Sequence, residues 1–125
     1  MHTSPAPWLS AWLAAFLITQ LVEVPVYLHP SGGGLWRRGE GLKSLSRALT
    51  PTCATHPLIW WPLHDLARLS HWTYLEYFCV AEGLVVVAEA WLAWTLGARR
   101  PLRASLLANA LSVAVGLALR SLGAL

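Results

Sequence analysis

Four long apolar blocks constrain this chain more than any other feature, running approximately over residues 8–28, 48–66, 72–96 and 104–122. Each approaches the roughly 20 residues an α-helix needs to cross the hydrocarbon core of a bilayer. Inside lipid a segment must satisfy its own backbone hydrogen bonds, which leaves helices and closed barrels. Ala and Leu dominate the blocks and strict alternation is absent, which argues against the alternating segments of a barrel. The expected fold is an all-α, membrane-embedded bundle of about four transmembrane helices, forming one domain over residues 1–125.

Composition points the same way: 56% of residues are hydrophobic and 12% charged, against roughly 25% charged in soluble domains. A soluble bundle of buried helices is the alternative, but most of each block lacks the polar stripe of a surface helix. Residues Met1 to Pro7 carry no Lys or Arg, and no small-residue cleavage site follows the first block. That block reads as an uncleaved anchor rather than a signal peptide. Cys53 and Cys79 fall inside apolar blocks and read as two packed thiols, not as a disulfide framework.

The loops alternate in charge. The first, residues 30–47, carries Arg37, Arg38, Lys43 and Arg47 against Glu40; the second holds Asp65 and Arg68; the third holds Arg99, Arg100 and Arg103. Positive loops stay on the cytoplasmic side, so loops one and three are expected inside and both termini outside. The net charge of +3 is thereby explained by topology, and no nucleic-acid partner is expected. Trp8, Trp12, Trp60, Trp61 and Trp72 then fall near the outer interface, and Tyr27, Trp91 and Trp94 near the inner one, where amphipathic rings anchor helices.

Within the first loop, Ser31-Gly32-Gly33-Gly34 reads as a flexible hinge. Leu42, Leu45 and Leu49 recur at helical spacing beside Lys43 and Arg47, as in a short interfacial helix or simply a basic loop. The second block contains Pro51, Pro57 and Pro62 with His56 among them. Proline removes a backbone donor, so this helix is expected to be kinked, broken or re-entrant. In the fourth block Ala104, Ala108, Ser112 and Gly116 form a stripe of small residues spaced by four, which lets helices approach closely.

Chemistry is concentrated in Glu23, His56, Glu82, Glu89 and Asn109, the ligand- or ion-binding candidates, each inside an apolar block. A charged residue at a helix centre costs at least about 2.5–3.5 kcal/mol on insertion scales, so such groups face the bundle interior or a watery cavity. Counting along the blocks at 1.5 Å per residue places Glu23 and Glu89 roughly 7 Å inward of the bilayer centre, with Asn109 close by. Glu82 and Glu89 are seven residues apart and share a face to within about 20°. No Lys or Arg lies near the middle of any block, which leaves His56 as the one cationic side chain available to three glutamates. Three readings stay open: structural hydrogen bonding between helices, with Glu23 satisfying a carbonyl freed by Pro25; proton or ion handling; and a metal or catalytic site. His64, His71, Asp65 and Glu76 read as outer-interface residues.

No nucleotide loop, zinc-protease helix or nucleophile elbow occurs. Glu23-Val24-Pro25, Thr55-His56-Pro57 with Trp60, the Glu82/Glu89 pair, and Asn109 with Ser112 follow one another along most of the chain. That order resembles a group of small bacterial four-helix membrane proteins of unassigned function. The resemblance implies a bacterial cytoplasmic (inner) membrane and supplies no activity. The reading is a small multi-pass membrane protein whose Glu/His/Asn cluster binds a proton, cation or small polar ligand. The alternatives are an accessory subunit of a membrane complex and a metal-dependent intramembrane enzyme. A chain this small encloses little space, so a homo-oligomer or a larger complex is the expected partner beside the lipid bilayer; no cofactor is assigned.

Overall fold

A computed structural model describes residues 7–125. The described residues are helical throughout their regular structure: α1 Pro7–Leu28, α2 Gly41–Leu58, a π-helical segment Ile59–Leu63, α3 His64–Leu69, α4 Tyr74–Thr95 and α5 Pro101–Ser121. Three of these, Trp8–Leu28 within α1, Tyr74–Thr95 and Pro101–Ser121, are long and apolar enough to cross a membrane. α1 packs against α2 and α5, and α4 against α2 and α5, which arranges the four long helices in a ring.

The distribution of side chains is inverted relative to a water-soluble bundle. Leu21 is 77% exposed and Glu23, two residues on, is 2% exposed. Leu13, Leu17, Val87, Trp91 and Leu117 also point outward, while the buried cluster consists of Tyr27, Leu35 and the alanines 48, 93, 98, 104 and 108. Water would penalise so broad an apolar surface; a hydrocarbon solvent would not. With Ala at the contacts, the backbones come close, as in membrane helix pairs.

The second apolar block is longer than its hydropathy. Its helix begins at Gly41, so Leu42, Leu45 and Leu49 belong to α2 itself rather than to a separate interfacial helix, and the basic loop ends at Glu40. Pro51 and Pro57 lie inside α2 without ending it. The ladder widens to a π-helical segment around Pro62, where the missing N–H leaves a gap in the regular spacing, and the Tyr77 hydroxyl donates to the Ile59 carbonyl at 3.0 Å.

Residues 29–36 fold back onto the end of α1 instead of forming a flexible hinge. The N–H groups of Gly33, Leu35 and Trp36 donate to the carbonyls of Val26, Tyr27 and Leu28 at 3.0, 3.0 and 3.3 Å, which satisfies the otherwise unpaired last turn. Only glycine fits: a Cβ at Gly32 would lie 2.1 Å from the Val26 oxygen, and one at Gly33 2.4 Å from the Tyr27 oxygen. The Arg99 N–H donates to the Gly33 carbonyl at 3.3 Å, so the two basic loops meet at one end of the bundle. α4 starts on a Thr73/Glu76 capping box. It ends on Gly97 at φ +96°, with Ala98 N–H donating to Ala93 and Gly97 N–H to Trp94 at 2.8 and 3.0 Å, a Schellman closure.

Two further expectations are corrected here. Cys53 and Cys79 are exposed, not packed; Cys53 Sγ still accepts from Gln20 Nε2 at 3.3 Å. Gly116 has open space where a Cβ would stand, so the close approach on α5 is made by Ala104 and Ala108, both 0% exposed.

Candidate functional site

The glutamates of α1 and α4 point into the ring because the surrounding helices offer them short hydroxyl and amide side chains. Glu89, 1% exposed, sits at the crossing of all four long helices. Its Oε1 accepts from the Thr55 hydroxyl at 2.6 Å. Its Oε2 accepts from the Tyr27 hydroxyl at 2.9 Å and from Asn109 Nδ2 at 2.8 Å. The second Asn109 N–H donates to the Ser105 carbonyl at 2.9 Å, so both amide donors are used and the orientation of the amide follows from its partners. Ser105 in turn donates to the Val86 carbonyl at 2.8 Å, tying α5 to α4. Tyr27, Thr55 and Asn109 together give Glu89 a hydrogen-bond partner from each of the other three long helices.

Glu23 is held separately: Oε2 accepts from the Thr52 hydroxyl of α2. The carbonyl freed by Pro25 is therefore not its partner. Thr55 also lies 3.1 Å from the Pro51 carbonyl. A hydroxyl has a single proton, so the shorter approach to Glu89 marks the dominant bond.

Above this layer, away from the basic loops, lies a cavity of about 130 Å³. Glu23, Thr52, Thr55, Glu89 and Asn109 line its floor, and Thr19, His56, Trp60, Glu82 and Ser112 its walls. All five residues singled out in the sequence thus border one space. Glu82 receives no hydrogen bond from the described residues. His56 has its Nε2 buried without a partner, and its ring lies among Phe16, Trp12 and Trp60 at centroid distances of 5.4, 5.8 and 6.0 Å. Trp12 also stacks on Phe16 and Trp61, both at 5.5 Å; Trp12 is accordingly part of an aromatic cluster around the histidine rather than an outward anchor. Trp8, Trp91 and Trp94 remain exposed, at 55, 61 and 64%.

Tyr27, Thr52, Thr55 and Ser105 are the site residues that sequence reasoning missed. Tyr27 was expected at an interface and is fully buried against Glu89. The available signal was its spacing: Tyr27 follows Glu23 by one helical turn, on the same face, as Thr52 and Thr55 share a face on α2. Among the described residues no three His, Cys, Asp or Glu side chains converge closely enough to hold a metal ion. His64 instead packs edge-on against Tyr77 at 5.9 Å.

Comparison with models of known protein families, with curated proteins and with solved structures finds no match to this chain.

Proposed function

We propose that this chain is a small multi-pass protein of a bacterial cytoplasmic membrane that binds a proton, a cation or a small polar ligand in the cavity between its helices. The observation that carries the reading is a polar cavity, bordered by three glutamates and a histidine with no Lys or Arg, inside a bundle whose outer surface is apolar. Low-dielectric surroundings make the free energy of such a site depend strongly on what neutralises it. Glu89, already satisfied by three donors, anchors the floor; Glu23 and Glu82 keep acceptor capacity toward the cavity; His56 is the switchable base.

Four crossings complete the topology, with a Pro-bent second span and both termini outside. The helical stretch 41–69 supplies the fourth. It is less apolar than the others because Thr52, Thr55 and His56 serve the interior. The positive-inside rule supports the orientation. Cysteines placed at Arg38 and Leu69 in a background lacking Cys53 and Cys79 test it: in intact cells an impermeant thiol reagent should reach Leu69→Cys and not Arg38→Cys.

The ligand reading is tested on detergent-solubilised protein by measuring thermal stability across pH and with added cations. Wild type should respond, and Glu82→Gln should blunt the response without lowering basal stability. Identical behaviour of the two proteins under every condition would sink the reading. A structural reading has its own support, because Glu89, Tyr27, Thr55 and Asn109 join four helices through their own hydrogen bonds. Under it the chain is an accessory subunit, and tagged protein should co-purify with a larger membrane complex in mild detergent; as a homo-oligomer it would run as a multiple of its own mass.

A further inference from the structure

Burial in this bundle is one-sided. The fully buried side chains Tyr27, Leu35, Ser44, Ala48, Ala93 and Ala104 gather at the end that carries the basic loops. At the other end Ala67 is the one buried residue among 8–19, 59–69, 74–80 and 110–121. The cavity follows the same gradient. Its floor residues Glu23, Thr52, Thr55, Glu89 and Asn109 are buried, whereas Thr19, Ile59 and Val113 at its rim are half-buried and Trp60 is 37% exposed. Tyr27, bonded to Glu89 at 2.9 Å, closes the floor.

We propose, building on the cation-binding reading above, that this cavity is a blind cup open away from the basic loops, and that it receives the ammonium head of a small alkylamine. Charge selects the sign: three carboxyls and no Lys or Arg border the space, so the balance of charge favours a cation. Hydrogen-bonding capacity selects the head group. An ammonium brings three donors and no acceptor; the cup offers Glu82 without a protein donor, Glu23 beside the Thr52 and Ser112 hydroxyls, and the unpartnered Nε2 of His56. The rim selects the rest. Trp60, Ile59 and Val113 form an apolar mouth, and a Trp face near a desolvated cation adds attraction. A volume of about 130 Å³ holds the head and a few carbons, and the remaining chain leaves through the mouth.

The probes are butylammonium, with butanol, butyrate and sodium chloride as controls, added to the purified full chain while unfolding temperature and tryptophan fluorescence are recorded. Butylammonium should raise the unfolding midpoint saturably, and butanol and butyrate should not. Glu82→Gln should weaken butylammonium about tenfold or more, the scale of one charge-assisted bond, and Trp60→Leu should weaken it about fivefold. Because no protein bond to Glu82 is lost and a costly carboxyl is removed from beside Glu89, that variant unfolds at or above the native midpoint without ligand. Equal stabilisation by sodium and butylammonium, abolished together by Glu82→Gln, would overturn the amine assignment and leave the cation site standing. No response to pH or any cation in either protein would overturn both. Reconstitution in phosphatidylcholine with and without phosphatidylethanolamine separates the two sources of an ammonium: competition by phosphatidylethanolamine identifies a lipid head group, and its absence a free amine. The direction of opening is read from a thiol reagent bearing trimethylammonium, in a background lacking both native cysteines. Val113→Cys should react and be protected by butylammonium, and Ala108→Cys should not react; the reverse order would overturn the proposed mouth.

Discussion

The Tyr27 hydroxyl donates to Glu89 Oε2 at 2.9 Å across 62 residues of sequence. This bond closes the floor of the polar cavity with a side chain that has no exposed surface. Replacing Tyr27 by Phe keeps the ring in place and removes one of three donors to Glu89. We expect a loss of about 0.5–2 kcal/mol, the range for such bonds within membranes, read as a lower unfolding midpoint in detergent. An unchanged midpoint would mean that the hydroxyl contributes nothing to closure.

Asn109→Asp exchanges a donor for a second carboxyl beside Glu89, where Nδ2 now stands 2.8 Å from Oε2. Two carboxylates at that separation repel strongly, and one proton shared between them relieves the repulsion. The variant should be destabilised most at neutral pH and recover toward wild type as pH falls. A deficit independent of pH would show that the carboxyls are not in contact.

The glycines divide into two groups. Gly33→Ala forces a Cβ to 2.4 Å from the Tyr27 carbonyl oxygen, so the fold-back on α1 must shift and stability should drop by about 1–3 kcal/mol. Gly83→Ala and Gly116→Ala meet open space within helices and should be neutral or gain up to about 1 kcal/mol from helix propensity. Parallel thermal melts of the three variants decide the matter.

α3 ends on His71 at φ +56°, with Trp72 N–H donating to Ala67 at 3.0 Å, the position that glycine usually holds in this closure. His71→Gly should stabilise by about 1 kcal/mol, because a side chain costs roughly that much in the left-handed region. A fall in the unfolding midpoint would instead give the imidazole a contact that outweighs the strain.

Glu40 precedes α2, and Arg47 on the first turns of that helix donates to it at 3.0 Å; that bond holds the Glu40 carboxyl below its usual range. A carboxyl whose folded value is depressed contributes stability above its unfolded value and loses it as pH falls through the folded one. Both side chains are partly exposed, so the effect should be small and screened by salt. Glu40→Gln should therefore flatten the acid side of the stability profile at low ionic strength and change nothing at high salt.

Hydropathy located α1, α4 and α5 closely, since an apolar run of about 20 residues is a local property that lipid enforces segment by segment. It missed the start of α2 at Gly41, because Lys43, Ser44 and Arg47 lower the hydropathy of a helix whose buried face is carried by Ser44, Ala48, Pro51, Thr52 and Thr55. The fold-back at Gly32 and Gly33 was equally illegible. A run of glycines looks flexible until the Val26 and Tyr27 carbonyls take up the space where a side chain would be.

By itself the sequence determined that the chain is helical and that Glu23, His56, Glu82, Glu89 and Asn109 are misplaced unless they face inward. The cost of a polar group among apolar neighbours can be read one segment at a time. Which groups satisfy them was decided by tertiary structure alone. Thr52 meets Glu23, and Tyr27, Thr55 and Asn109 converge on Glu89, pairings set by the rotation of each helix about its axis. That rotation is fixed by the close contact of alanines 48, 93, 104 and 108. It is a property of the packed ring, and no single helix carries it.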